Sequence, residues 1–229
     1  MDNNKIKVLG LDKILYDVSD FIKEGKTLSD AVGITFHSNL IGTRVLALES
    51  FFGEFSNRSC LVKVSSLPQE IQITCGLYNT LEIKKGSKYF NSSAAEICLN
   101  YKKGGLNWYL PSLLELCVLF TNRELINSSM TDLGVKDDYL LPSRYYSKQK
   151  ESFILSSSES NYESCFGVLF LSGAICTRSK DKDSIVRPIA VLEEESKNTN
   201  LCSKVSDEEL MTILHKRGYT GKITKTFTI

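Results

Sequence analysis

Groups that could do chemistry are few in this chain. Seven cysteines stand at 60, 75, 98, 117, 165, 176 and 202. No two have Cys-x-x-Cys spacing, which removes the zinc-ribbon and thioredoxin-type readings. Only two histidines are present, so a histidine-rich metal centre is excluded. A Cys–His nucleophilic pair exists on paper. However, His37 lies beside a predicted turn without an acid or amide to orient it, and His215 falls in the C-terminal part. Asp181 and Asp183 form a sparse oxygen-ligand pair for a hard cation. Cys165 and Cys176 flank a predicted hairpin and could face each other across it. The expectation is no catalytic residue, no cofactor and no required metal. Most cysteines sit in apolar runs such as Ile97-Cys98-Leu99 and Leu116-Cys117-Val118. They read as small buried hydrophobes in a reducing compartment rather than as a disulfide framework.

Charge and length close further classes. Lys plus Arg is 28 and Asp plus Glu is 27, for a formal charge of +1. Such balance argues against binding nucleic acid through phosphate contacts and against a polybasic membrane anchor. The start, Met1-Asp2-Asn3-Asn4-Lys5, is charged, and no apolar run of about 7–15 residues follows it. The greasiest stretch, Leu113 to Phe120, is too short to cross a bilayer and contains Glu115. The reading is a chain folded in a cytoplasm without membrane insertion. At 229 residues it can bury a full core.

The positioning elements follow from periodicity. Leu11, Ile14, Leu15, Val18, Phe21 and Ile22 recur at helical spacing and predict a helix over 11–24, closed by Gly25. Alternation predicts strands over 31–37 and 43–50, turning at Asn39 to Gly42, and further short strands over 60–66 and 69–75. Ser93 with Glu96 predicts a capped helix ending near Tyr101. Ser112 with Glu115 caps a second, which buries Leu113, Leu116, Cys117 and Phe120. Residues 127–151 read as helix plus loop. The stretch 153–192 is strand-rich, with a hairpin turn at Ser172-Gly173. Its last strand, 185–192, is interrupted by Pro188, which suggests an edge or bulge. A polar linker, 193–204, leads to a short helix ending at Gly218. The class is α+β, with a helical segment over 1–30, one domain over 31–193 and a linker with tail over 194–229.

Three motifs recur in order. They are Trp108-Tyr109-Leu110-Pro111-Ser112 opening a helix, Leu155-Ser156-Ser157-Ser158-Glu159, and Val186-Arg187-Pro188. Over residues 31–193 this order and spacing resemble the C-type-lectin-like domains of bacterial surface and phage proteins. That group includes the collagen-like adhesin C-terminal family and the variable proteins of diversity-generating retroelements. The chain departs from the pattern at Asn107, at Leu155, and at Cys165-Phe166. The resemblance implies a C-type-lectin-like fold: two helices, a small twisted antiparallel sheet and long loops. Trp108, Tyr109, Pro111, Ser157, Glu159, Arg187 and Pro188 then serve as scaffold. Arg187 is placed to pair with Glu159 or Glu115 across the fold.

In the resembling proteins, ligand contacts lie between the second and third motifs. Here that interval holds Asn161, Tyr162, Glu163, Thr177, Arg178, Lys180, Asp181, Lys182 and Asp183. Tyr162 beside Asn161 suits recognition at low entropic cost. The implied role is a non-enzymatic module of a phage virion, a fibre or decoration protein, assembled in the host cytoplasm. Its implied partners are a host-surface glycan or protein, other virion proteins and further copies of itself, with a trimer favoured by the resemblance. A bacterial surface adhesin and a purely structural virion adaptor are the alternatives. The same broad fold includes formylglycine-generating enzymes, which use a cysteine pair near copper. Cys165 and Cys176 would be that pair here.

Overall fold

A computed structural model describes residues 6–57, 69–86, 91–144 and 152–192. In chain order it contains β1 (Val8–Gly10), β2 (Leu15–Tyr16), α1 (Val18–Lys23), β3 (Ala31–Ser38), β4 (Gly42–Ala47) and β5 (Phe51–Gly53). Then come α2 (Gln69–Thr74), α3 (Gly76–Gly86), α4 (Ser93–Asn100), β6 (Trp108–Tyr109) and α5 (Leu113–Asp132). The last strands are β7 (Phe153–Glu159), β8 (Ser164–Leu169), β9 (Ala174–Ser179), β10 (Ser184–Val186) and β11 (Ile189–Val191). The fold is α+β, with two sheets. The first has the order β2-β1-β3-β4-β11-β6, the second β5-β10-β7-β8-β9. Every pairing is antiparallel except β10 with β7.

Helix α5 is the element both sheets share. Ser112 caps it, accepting from the Glu115 N–H at 3.3 Å, while the Glu115 carboxylate accepts from the Ser112 N–H at 2.8 Å. This is the reciprocal box that the spacing predicts. The helix buries Leu116, Leu119 and Ile126 with Ile34 and Phe36 of β3, Ile154 of β7 and Val168 of β8. On the far side of the second sheet, Phe153, Leu155, Cys165 and Val186 pack with Ala94 and Cys98 of α4. Both faces of that sheet are therefore covered, which explains why β7 is buried along its whole length. A third cluster joins Val32, Val45, Trp108 and Ala190 on the outer face of the first sheet.

The two distant motifs meet. Trp108 and Tyr109 stand opposite Ala190 and Ile189 in the β6–β11 pair. Pro188 marks the point where the chain leaves the second sheet and enters the first. It is neither an edge nor a bulge position: β10 lies between β5 and β7, and β11 between β4 and β6. The Pro188 carbonyl accepts from the Ala47 N–H at 3.0 Å.

Other expectations need correction. The predicted helix over 11–24 is a turn, strand β2 and only then α1. Lys13 adopts φ 66°, and the Asp12 carboxylate accepts from the Ile14 N–H at 3.1 Å, so the chain reverses before it can coil. Strand β1 then joins β3, which ties the residues before Ala31 to the sheet. Residues 69–74 are helix α2, not strand; Ile73 enters the core that α5 organises. Tertiary packing overrides an alternation that was only two isoleucines long. The cap of α4 is Ser92, one residue earlier than expected, because the Ser93 hydroxyl accepts from the Glu54 N–H at 2.9 Å. Of the stretch 127–151, residues up to Asp132 extend α5. The strand over 60–66, the linker and the C-terminal helix lie outside the described residues.

The turn at Asp12 carries its own pH signature. Its carboxylate accepts from Lys26 Nζ at 2.8 Å and from the Tyr16 hydroxyl at 2.7 Å. Mainly through Lys26, its pKa is lowered from 3.8 to about 2. A carboxyl depressed by folding stabilises the fold above its ordinary pKa and loses that contribution as pH falls through the folded value. The Asp12–Lys26 tie is thus expected to be complete above about pH 4 and lost near pH 2. Carboxyl chemical shifts followed against pH, with Asp12→Asn as control, would read it. A midpoint near the ordinary value would disprove the tie.

Candidate functional site

The candidate site begins with the Ser-rich strand β7, whose hydroxyls are consumed by the scaffold. Ser156 donates to the Phe166 carbonyl at 2.8 Å, and Ser158 donates to the Gln72 carbonyl at 2.7 Å and accepts from the Leu113 N–H at 3.1 Å. The Ser157 N–H donates to the Pro111 carbonyl at 2.7 Å, and its hydroxyl accepts from Asn79 at 3.2 Å. Trp108 donates through Nε1 to the Lys103 carbonyl at 2.9 Å and packs edge-on against Tyr101. These residues hold elements together.

At the end of β7 the chain turns through Asn161, Tyr162 and Glu163 into β8. Asn161 Oδ1 accepts from the Glu163 and Ser164 N–H groups at 2.9 Å each, which shapes the turn from within. The second loop, Asp181 to Asp183, joins β9 to β10. The Ser179 hydroxyl donates to Asp181 at 2.6 Å and lowers its pKa. The fold brings the two loops side by side: the Lys180 N–H donates to the Glu163 carbonyl at 3.0 Å.

Lys180 was expected on the contact face and is instead buried beneath it. Its ammonium pairs with the Glu159 carboxylate, both side chains being fully shielded from solvent, and donates to the Tyr162 carbonyl at 3.1 Å. The Phe55 ring lies 5.6 Å away. The ammonium is therefore a bolt, fastening the first loop to the end of β9. The charged run Ser179 to Asp183 gives no hint of this, because all five of its side chains are polar and only one turns inward. Arg178 is half-buried; it stacks over the Phe153 ring at 4.3 Å and donates to the Asp183 carbonyl at 3.4 Å. Asn161, Tyr162, Glu163, Thr177, Asp181, Lys182 and Asp183 are exposed. Tyr162 is 53% exposed, and tyrosine is a residue type enriched at interfaces.

The expected partners of Arg187 also need correction. It is buried, and its guanidinium donates to the Tyr139 carbonyl and, at 2.9 Å, to the Ala47 carbonyl. Burial lowers its pKa to about 10. Glu159 is taken by Lys180. Glu115 is taken by Arg44, whose Nε donates to it at 3.0 Å, and by the Tyr109 hydroxyl at 2.7 Å. That buried Arg44–Glu115–Tyr109 group went unnoticed in the sequence; an arginine inside a strand of otherwise apolar residues was the available signal.

The cysteines divide. Cys98, Cys117 and Cys165 are buried and Cys176 is half-buried, all four outside any disulfide. Burial raises the Cys165 pKa to about 12, the reverse of what a nucleophile needs. In the β8–β9 register Cys165 stands opposite Arg178 and Cys176 opposite Gly167, so the two thiols are diagonal neighbours on one face. Cys75 is disulfide-bonded, so the expectation of a reduced thiol fails there. Among the described residues no group of three or more His, Cys, Asp or Glu side chains could hold a metal ion. No helix among them is long and apolar enough to cross a membrane.

No protein-family signature matches this chain, and no curated protein does. Among solved structures, the fold is similar to a fimbrial protein from Bacteroides ovatus ATCC 8483, at a TM-score of 0.58 and 12% identity. The likeness covers 81% of this chain and 48% of that one, so the chain spans about half the length of its neighbour.

Proposed function

We propose that the chain is a non-enzymatic recognition module of the C-type-lectin-like kind, displayed on a virion or bacterial surface, whose paired loops contact a glycan or protein of a host surface. The observation that carries this reading is the bolt at Lys180. Two loops some twenty residues apart in sequence are fastened from beneath, and six of their side chains are left in solvent. A rigid frame that spends its buried charges on holding exposed loops is what recognition needs, since preorganised contacts lose less entropy on binding. The disulfide at Cys75 suits an oxidising surface environment, and a fimbrial structural neighbour is consistent with one. The scaffold residues all have partners in the frame, and the diagonal thiols with a raised Cys165 pKa do not favour the enzyme alternative.

The test uses immobilised glycans and intact bacterial cells as probes. Tyr162→Ala is expected to weaken binding at least tenfold with an unchanged melting temperature, because an exposed central aromatic contributes to contact and not to the core. Wild-type binding undiminished in Tyr162→Ala and in a Lys182→Ala, Asp183→Ala double variant would place recognition elsewhere. Particle fractionation with an antibody would then assign the surface.

A further inference from the structure

The two sheets end in four outer strands, and three of them are protected by brevity. β2 and β6 have two residues each and β5 has three. The fourth, β9, has six. Proteins normally blunt a long edge with proline, a bulge, or a charge aimed outward. β9 has none of these. Its sequence is Ala174-Ile175-Cys176-Thr177-Arg178-Ser179, and it pairs with β8 through six consecutive residue pairs without a register shift. Its one charge, Arg178, is folded back over Phe153. Among the described residues nothing pairs with its outer side.

The hydrogen-bond phase of this edge follows from its neighbours. The Lys180 N–H donates to the Glu163 carbonyl in the same register, so Arg178, Cys176 and Ala174 point their backbone groups inward to β8. Ile175, Thr177 and Ser179 then point theirs outward. The Ser179 carbonyl is used by the Lys182 N–H at 3.2 Å, so among the described residues the outward N–H groups of all three residues and the carbonyls of Ile175 and Thr177 remain for pairing.

We infer that β9 is a self-pairing edge: two copies of this chain join antiparallel through it, about a two-fold axis at Thr177, into one sheet continuous across both. The edge suits its own copy. Thr177 would face Thr177 of the second copy in a hydrogen-bonded pair, a favourable cross-strand combination. Ile175 would face Ser179. On the opposite face Arg178 would stand beside Cys176, so no two like charges oppose each other. The pairing is isologous and closes at two copies, which blocks further edge-to-edge growth. It differs from the trimer that the family resemblance implies, and it leaves the loops at Tyr162 and Asp181 outside the new strand pair. It therefore stands or falls independently of ligand binding.

Sedimentation of the purified chain is expected to show a dimer. Thr177→Lys places two ammonium groups opposite each other and Thr177→Glu two carboxylates, and each alone is expected to give a monomer. Mixed in equal amounts, they are expected to restore a dimer containing one of each. Thr177→Pro removes an outward N–H without touching the β8 ladder. It is expected to give a folded monomer, read by circular dichroism and by a cooperative unfolding transition whose midpoint does not depend on protein concentration. A wild-type monomer at micromolar concentration would overturn the inference, as would a dimer that survives both charge substitutions, or two charge variants that stay monomeric when mixed. Strong hydrogen-exchange protection of the Thr177 amide in a monomer would also overturn it, because the edge would then be closed by another segment of the same chain.

Discussion

Glu115→Ala is expected to destabilise the fold by about 3–5 kcal/mol, the usual effect of removing one member of a buried charge pair. The Glu115 side chain is 1% exposed. One oxygen receives Arg44 Nε at 3.0 Å and the Tyr109 hydroxyl at 2.7 Å; the other receives the Ser112 N–H at 2.8 Å. A single carboxylate thereby joins β4, β6 and the first turn of α5. Alanine removes the counter-charge of a largely buried arginine, a partner of a buried phenol and half of a capping box. Glu115→Gln keeps the shape and one acceptor and loses the charge, so its expected loss is smaller, about 1–3 kcal/mol. Against a total of about 5–15 kcal/mol for a domain, the alanine variant would unfold at a visibly lower urea midpoint. Equal midpoints for the alanine, glutamine and parent proteins would show that the group contributes nothing.

Lys180→Met is expected to be comparably damaging, about 3–5 kcal/mol, because it strands the Glu159 carboxylate without its ammonium in a site closed to solvent. Glu159→Leu should do the same from the other side. The double variant Lys180→Met with Glu159→Leu is the informative one. Two apolar side chains beside Phe55 and Cys165 need no counter-charge, so it should recover most of the stability of the parent. Function should not recover with it. The bond from Lys180 Nζ to the Tyr162 carbonyl is gone in the double variant, and the first loop loses its tether. Folding and binding are expected to separate: restored unfolding midpoint, weakened adhesion to the glycan or cell probe. A double variant that binds like the parent would show that the ion pair serves stability alone.

These two sites also show what a sequence discloses and what it conceals. Ser112 and Glu115 were legible as a cap, since the box needs only a spacing of three. That Glu115 also receives Arg44 was not, because the two lie seventy-one residues apart and only the sheet brings them together. Lys180 was misread for a different reason. A Lys within Ser-Lys-Asp-Lys-Asp looks solvated, and nothing local reveals that the chain has turned it beneath the loop. Arg187 has the carbonyls of Ala47 and Tyr139 as partners, and backbone acceptors leave no compositional trace.

The elements divide along the same line. β3, β4 and the β8–β9 hairpin were readable from apolar residues bounded by turn signals, although β4 is buried at five of its six positions and does not alternate. At the N-terminus the apolar spacing mimicked a helix, but Asp12 and the positive φ of Lys13 made a turn of it. The alternation around residue 73 mimicked a strand, and Ile73 enters the core from a helix. Short segments take their form from what they press against. Both loops of the candidate rim were located from the sequence; their fastening needed coordinates.

The order in which the chain leaves the ribosome gives the position of Pro188 a further meaning. β10 and β11 are the last strands described, yet each is a wedge: one separates β5 from β7, the other β4 from β6. Until residue 191 is available, β6 has no strand to pair with in the first sheet and β5 none in the second, however long the earlier strands have waited. A nascent chain can pair β1 to β4 and β7 to β9 before that point, and cutting the chain short of β10 and β11 would leave those runs paired while β5 and β6 lose the neighbours that hold them in their sheets.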